Sequence, residues 1–237
     1  MTISSPNPDT VDLDEARQLV ERVNGQGGTY HRLDFGDGLV IEGDYDMSKY
    51  LAYYHLPERL DGKTVLDVGT ASGFFAIEAE RRGAKVTAID IWDETALPAE
   101  LARTFKLGLN YVQKDLYDLD ASFGQFDLVI CGSLLLHLPD PVGALRALRS
   151  VTKERLIVSS AATADSATTD QPVCHFTGAR ASESDYWSYW AFSACALERM
   201  LLAADFSRIA DVEHFDLKSE PGRMEFSTPH VSMSAYV

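Results

Sequence analysis

Along this chain the apolar positions change rhythm near residue 63. Before it they are scattered among polar, glycine and aromatic residues. After it they gather into short unbroken runs separated by stretches of helical spacing. Val11 to Val23 is amphipathic and predicts a helix, with Thr10 as cap, Asp12, Asp14 and Glu15 favouring its N-terminal dipole, and Asn24-Gly25 as its stop. The glycine- and aromatic-rich stretch that follows predicts a lid. From Lys63 the runs Thr64 to Gly69, Lys85 to Asp90, the short NYVQKD ending at Asp115, Phe126 to Cys131 and Arg155 to Ser160 read as strands. Phe74 to Arg82, about Thr95 to Phe105 and Val142 to Ser150 read as the helices between them. Asp140 reads as the cap of the helix that starts at Pro141. Ala161 to Ser184 is polar without periodicity and reads as irregular. Ala194 to Ala204 is a last helix, and IADVEHFDL and HVSMSAYV are two closing strands.

Strands alternating with helices predict an α/β fold: a Rossmann-like, seven-stranded, mostly parallel sheet with helices on both faces and an antiparallel C-terminal edge. The expected division is an N-terminal helix and lid over 1–60 and a core over 61–237, with an insertion at about 161–192. A length of 237 residues suits one domain with a lid.

Composition narrows the class. Hydrophobic residues make up 46% and charged residues 24%, which is globular rather than disordered. No apolar run is long enough to span a bilayer, and the first residues do not read as a secretory signal. The 21 basic and 36 acidic residues give −15, a charge that repels phosphate backbones and makes nucleic acid an unlikely partner. Cys131, Cys174 and Cys195 are odd in number and form no C-x-x-C, so the sequence points to reduced thiols, no metal site and a cytoplasmic setting. Cys131, among apolar neighbours, reads as structural.

The chemistry centres on Asp67-Val68-Gly69-Thr70-Ala71-Ser72-Gly73, a D-x-G-x-x-x-G turn between a predicted strand and a predicted helix. Glycines there let a ligand approach the backbone. The spacing is neither the G-x-G-x-x-G of dinucleotide folds nor a P-loop, which disfavours a nicotinamide dehydrogenase. A ligand with an amino-acid end and an adenosine end fits better. Asp90, at the end of the next strand, is placed to accept both hydroxyls of a ribose. Trp92 offers a flat face to an adenine, and Asp115 an acceptor for its amino group. Three successive strand ends carrying such residues is the placement expected of a ligand crevice.

The stretch VLDVGTASGFFAIEAERRGAKVTAID resembles the first two motifs of the class I S-adenosylmethionine (SAM)-dependent methyltransferases, and CGSLLLHLPDP resembles their fourth-strand motif. The upstream GLVIEGDYD…LP and the downstream YWSYWAFSACALERMLLAADF resemble a narrower group containing the tRNA wobble-uridine carboxymethyltransferases and their uncharacterised relatives. The resemblance implies SAM as cofactor and S-adenosylhomocysteine as product. It places Asp67, Gly69, Thr70, Ala71 and Gly73 around the methionine part, Asp90 at the ribose, and Ile91 and Trp92 beside the adenine. Asp115 and Leu116 fall at the adenine edge, Gly132 and Ser133 under the methionine part, and Tyr30, His31 and Gly43 in a lid closing over the cofactor. The carboxymethylating enzymes use lid lysines to hold a carboxylated SAM. Here only Lys49 lies near YLAYYHLP, so ordinary SAM is expected.

The expected reaction is methyl transfer to oxygen or nitrogen of a small metabolite, aromatic or heterocyclic in character. His137, after the fourth strand, is the candidate general base. His31, His175, Tyr186, Trp187 and Trp190, with Tyr189, are candidates for the acceptor side, where aromatic rings can stack a flat molecule. A tRNA-modifying enzyme and a non-catalytic SAM-binding protein are the competing readings. Monomer and homodimer both remain open.

Overall fold

A computed structural model of the chain describes residues 11–92, 96–180, 187–223 and 225–237. In chain order the elements are α1 (Leu13–Gly25), β1 (Thr29–His31), β2 (Leu33–Asp34), β3 (Val40–Ile41), β4 (Gly43–Tyr45), α2 (Leu51–Tyr54), β5 (Thr64–Val68), α3 (Phe74–Arg81), β6 (Lys85–Asp90) and α4 (Ala96–Thr104). They continue with β7 (Leu109–Gln113), β8 (Phe126–Cys131), α5 (Pro141–Val151), β9 (Thr152–Ala161), β10 (Cys174–Arg180), β11 (Trp187–Phe192), α6 (Ala194–Ala203), β12 (Arg208–Lys218) and β13 (Ser227–Tyr236). Among the described residues, seven strands share one sheet in the order β12-β13-β9-β8-β5-β6-β7. The mostly parallel sheet expected from the strand–helix alternation is therefore present, with β13 running antiparallel to β9.

The chain divides into two compact units. The first comprises Met1–Lys49, Pro57–Lys114 and Lys218–Phe226. Within it β5, β6 and β7 are parallel, Val65 facing Val86 and Ala88 facing Tyr111. Their buried runs, such as Val65, Leu66, Val68, Ala88 and Ile89, are nearly continuously apolar because helices cover the strands. The N-terminal helix is capped by Asp12, whose carboxylate accepts the N–H groups of Asp14 and Glu15. Thr10, expected as the cap, lies outside the described residues, and the helix starts two residues later than the periodicity suggests. The stretch expected as a lid holds two small pairings, β1 with β4 in parallel and β2 with β3 antiparallel.

The second unit comprises Tyr50–Leu56, Asp115–Leu217 and Ser227–Val237. Here β8 and β9 are parallel and α5 packs against both through Ala144, Leu145 and Leu148. Asp140 caps α5 by accepting Gly143 N–H at 2.8 Å. The polar 161–184 stretch is not irregular throughout: Cys174–Arg180 forms an antiparallel hairpin with Trp187–Phe192. Its strand β10 is exposed along most of its length, so no inside–outside alternation marks it in sequence, and cross-strand pairing alone defines it. Residues 181–186 lie outside the described residues, and so does part of the expected irregular stretch.

Candidate active site

In the first unit the turn Gly69 to Gly73 joins β5 to α3. Gly69 (φ 70°) and Gly73 (φ 92°) adopt the left-handed conformation that glycine enters without a steric penalty. The N–H groups of Gly69 and Thr70 both donate to Ile89 O, at 2.9 and 3.1 Å, fixing the turn to the end of β6. Asp67 points into the turn. Its Oδ2 accepts Thr70 Oγ1–H at 2.7 Å and Ala76 N–H at 3.0 Å, so one carboxylate holds both the loop and the first turn of α3. Burial pushes the Asp67 carboxyl up to about 7, and the nearby Asp90 charge adds to the rise. Asp67 and Thr70 thus shape the cradle from inside. Gly69 and Ala71 are half-buried at the turn, and Gly73 is buried at the start of α3.

Asp90 ends β6. Its Oδ2 accepts Ala71 N–H at 3.0 Å, and its Oδ1 accepts Trp92 N–H at 3.3 Å, a long bond that leaves acceptor capacity outward. Beside it Ile91 and Trp92 are each 53% exposed, two large apolar side chains offered together. Their backbone is anchored by Gln113 Nε2–H donating to Ile91 O and Tyr111 O–H donating to Trp92 O, at 3.0 and 2.9 Å. A carboxylate with open lone pairs next to a fixed apolar surface has the chemistry that a nucleoside's sugar and base require.

Strand β1 reaches the same turn. His31 N–H donates to Ser72 Oγ at 2.8 Å. The His31 ring is buried beside Phe74 and Phe75, with centroids 6.0 and 6.5 Å away, and meets Tyr30 edge-on at 4.8 Å. Burial pushes the imidazole down to about 3, so it is neutral at physiological pH, and its buried Nδ1 has no hydrogen-bond partner. Gly43 is explained locally: a Cβ there would sit 2.1 Å from Arg32 N and 2.2 Å from His31 C. Close approach of β4 to β1 demands glycine, and the position serves the backbone of these two strands. Ser72, absent from the sequence-based candidates although inside the motif, is what links β1 to the turn.

In the second unit Asp115 does not end a strand, because β7 stops at Gln113. It caps the short turn Leu116–Asp118, accepting Tyr117 N–H at 2.9 Å, with Leu116 buried beneath. Gly132 and Ser133 follow β8, and Ser133 adopts a left-handed φ of 52°. His137 closes the 3₁₀ turn Leu135–His137 and is half-buried. The aromatic strand β11 packs on that turn, and Trp190 Nε1–H donates to Leu138 O at 3.0 Å. Trp190 also meets the exposed Phe176 edge-on at 5.3 Å. Trp190 is therefore fastened to the residue that follows His137, while His175 sits on exposed β10 opposite Ala191. The backbone of Trp187 pairs with Arg180, and Tyr186 lies outside the described residues. Among the described residues no group of three or more His, Cys, Asp or Glu is placed to hold a metal.

Comparison with known proteins agrees with this architecture. Residues 66–158 match a family model described as a methyltransferase domain. A ubiquinone biosynthesis O-methyltransferase of Escherichia fergusonii is 40% identical over 96 residues, covering 40% of this chain and 40% of that enzyme. The chain thus matches well under half the length of such curated relatives. The crystal structure of the N-terminal domain of EvdMO1 with S-adenosylhomocysteine bound is similar, with a TM-score of 0.68 and 17% identity over 98% of this chain and 99% of that one. A SAM-dependent methyltransferase from Methanosarcina mazei gives 0.60 and 20% over 79% and 96%. Residues 66–158 thus match a methyltransferase domain, and the sheet has the fold of SAM-dependent methyltransferases of known structure.

Proposed function

We propose that this chain binds SAM and transfers its methyl group to an oxygen or nitrogen atom of a small, aromatic or heterocyclic molecule. One observation carries the reading: each Asp90 oxygen takes one backbone N–H, from Ala71 and Trp92, and keeps further acceptor capacity beside the exposed Ile91 and Trp92. The orphaned Nδ1 of His31, buried next to the same turn, also fits a ligand there. When bound, SAM supplies an electrophilic methyl on a sulfonium and leaves as S-adenosylhomocysteine.

This chain's residues then have distinct tasks. Asp67 and Thr70 hold the turn. Gly69, Ala71 and Gly73 take the methionine part, with Gly132 and Ser133 as its floor and Tyr30, His31 and Gly43 in the lid over residues 1–60. Asp90 accepts the ribose hydroxyls. Ile91, Trp92, Asp115 and Leu116 take the adenine. His137 removes the acceptor's proton, and Trp190 beside it stacks a flat acceptor, with Trp187, Tyr186, His175 and His31 completing the acceptor side. The O-methyltransferase relatives favour oxygen as the atom methylated. Ordinary SAM is favoured over a carboxylated form because Lys49 is already engaged by Glu220 at 2.5 Å and Asp46 at 3.7 Å. That weighs against the tRNA carboxymethyltransferase reading. Three cysteines, with no disulfide among the described residues, suit a cytoplasmic setting.

The test uses SAM labelled in its methyl group, incubated with the chain and either a small-molecule extract or total RNA. Label in a small metabolite is the expected result. Label in RNA would replace this reading with the tRNA one. Bound SAM with no transfer to either would leave a non-catalytic SAM-binding protein.

A further inference from the structure

We infer that Tyr54 and Ser159 are positioning residues that hold Ser133 in its left-handed conformation, and so aim the turn after β8; this rests on the reading of Gly132 and Ser133 as the floor under the cofactor. Ser133 is not glycine, yet its φ is 52°, a conformation that persists only where surroundings enforce it. The enforcement is visible. Ser133 N–H is shared between Ser159 O at 3.1 Å and Ser159 Oγ at 3.0 Å. Ser159 Oγ in turn lies 2.9 Å from Tyr54 Oη and 3.4 Å from Ser133 Oγ. Ser159 has no exposed surface and Tyr54 is 2% exposed, so water does not compete for these groups.

Tyr54 is itself fixed. Its ring packs 5.9 Å from that of Phe215, and the carbonyl of the neighbouring Tyr53 accepts the hydroxyl of Ser232 on β13, which faces Ser159 in register. Three segments distant in sequence thus converge on one strained residue: α2, the carboxyl end of β9 and β13. A buried hydroxyl chain leading to a strained backbone amide, at the position where a ligand is expected, is the arrangement of a residue that preorganises a site without touching what it binds.

Calorimetry with S-adenosylhomocysteine tests this through a mutant cycle. Tyr54→Phe removes the hydroxyl and keeps the packed ring. It is expected to weaken binding about five- to tenfold, the equivalent of one buried hydrogen bond. In a Ser133→Gly background the left-handed conformation carries no penalty, so Tyr54→Phe is expected to change that background's affinity by less than about twofold. Equal losses in both backgrounds, or no loss in the first, would overturn the assignment. A second readout needs no ligand. Amide hydrogen exchange at Ser133 in the free protein is expected to quicken about tenfold in Tyr54→Phe. Unchanged exchange would likewise overturn the inference. If the unaltered chain does not bind S-adenosylhomocysteine at all, the proposed function fails, and the exchange measurement still decides the positioning role.

Discussion

Asp90 accepts the Ala71 N–H that shapes the glycine turn, and its remaining lone pairs are proposed to take the hydroxyls of a ribose. Asp90→Ala is therefore expected to weaken S-adenosylhomocysteine binding by at least about tenfold, since a charged acceptor is lost along with part of the turn's support. Unchanged affinity in calorimetry would retract the ribose assignment. Two buried groups nearby titrate in opposite senses. His31 is held near 3 against an ordinary value of 6.5. The unfolded chain takes that proton first, so the stability contributed by the neutral ring is complete above pH 6.5 and falls as the pH drops toward 3. Asp67 is raised to about 7 from 3.8. Its contribution is complete below pH 3.8 and is lost as the pH rises through 7. Urea midpoints between pH 4 and 7 separate the two. His31→Leu is expected to remove the acid-side decline, and Asp67→Asn to remove the loss toward neutrality, each by on the order of 1–3 kcal/mol across the window. Curves parallel to the unaltered chain would mean that neither group is the one titrating.

The aromatic strand β11 shows what a single element gains from its partner. Trp190 donates its indole N–H to the carbonyl of Leu138, one residue beyond His137, so the strand and the turn are fastened at the place where acceptor and base are proposed to meet. Trp190→Phe keeps an aromatic surface and loses that bond. The expected outcome is a several-fold rise in KM for the acceptor, with S-adenosylhomocysteine affinity unchanged; a loss confined to cofactor affinity would move Trp190 out of the acceptor side. The same element marks the limit of sequence reading. Strands such as Lys85–Asp90 and Phe126–Cys131 were legible to the residue because they are mostly buried and rich in apolar positions. Strand β10 was not, because residues 174–177 are exposed and its pairing with β11 is visible only in space. Asp67 and Asp90 stand out in the motif, but not their partners: Asp67 accepts from Thr70 and Ala76, and Asp90 from Ala71, groups that arrive only in space. Gly43 is visible in sequence as a glycine, but the reason for it is the backbone of Arg32, eleven residues away in the chain. Gly43→Ala is expected to destabilise the fold by about 2–4 kcal/mol, read by denaturant midpoint, because backbone cannot yield as a side chain tip can.

At the scale of the whole molecule the charge of −15 acts together with where the cations are spent. Arg81 and Arg82 both pair with Glu78, Lys49 with Glu220, Lys153 with Asp127, Arg59 with Asp61, and Arg155 with Asp211. Arg22 is held by Glu100, and Arg223 lies against Asp44. These guanidinium and ammonium groups already face carboxylates, so a phosphate backbone would have to displace the carboxylates while approaching a surface of its own sign. Binding through such a surface releases few counterions and gains little at low salt, where a true RNA-binding enzyme gains most. Titration of the chain with total tRNA at about 50 mM salt is accordingly expected to give no measurable complex, under conditions where phosphate-binding proteins are tightest. A complex whose affinity falls steeply with salt would reveal a basic track formed despite the net charge. It would also shift the acceptor from a small molecule to a nucleic acid, with the same glycine turn, the same Asp90 and the same cofactor chemistry serving it.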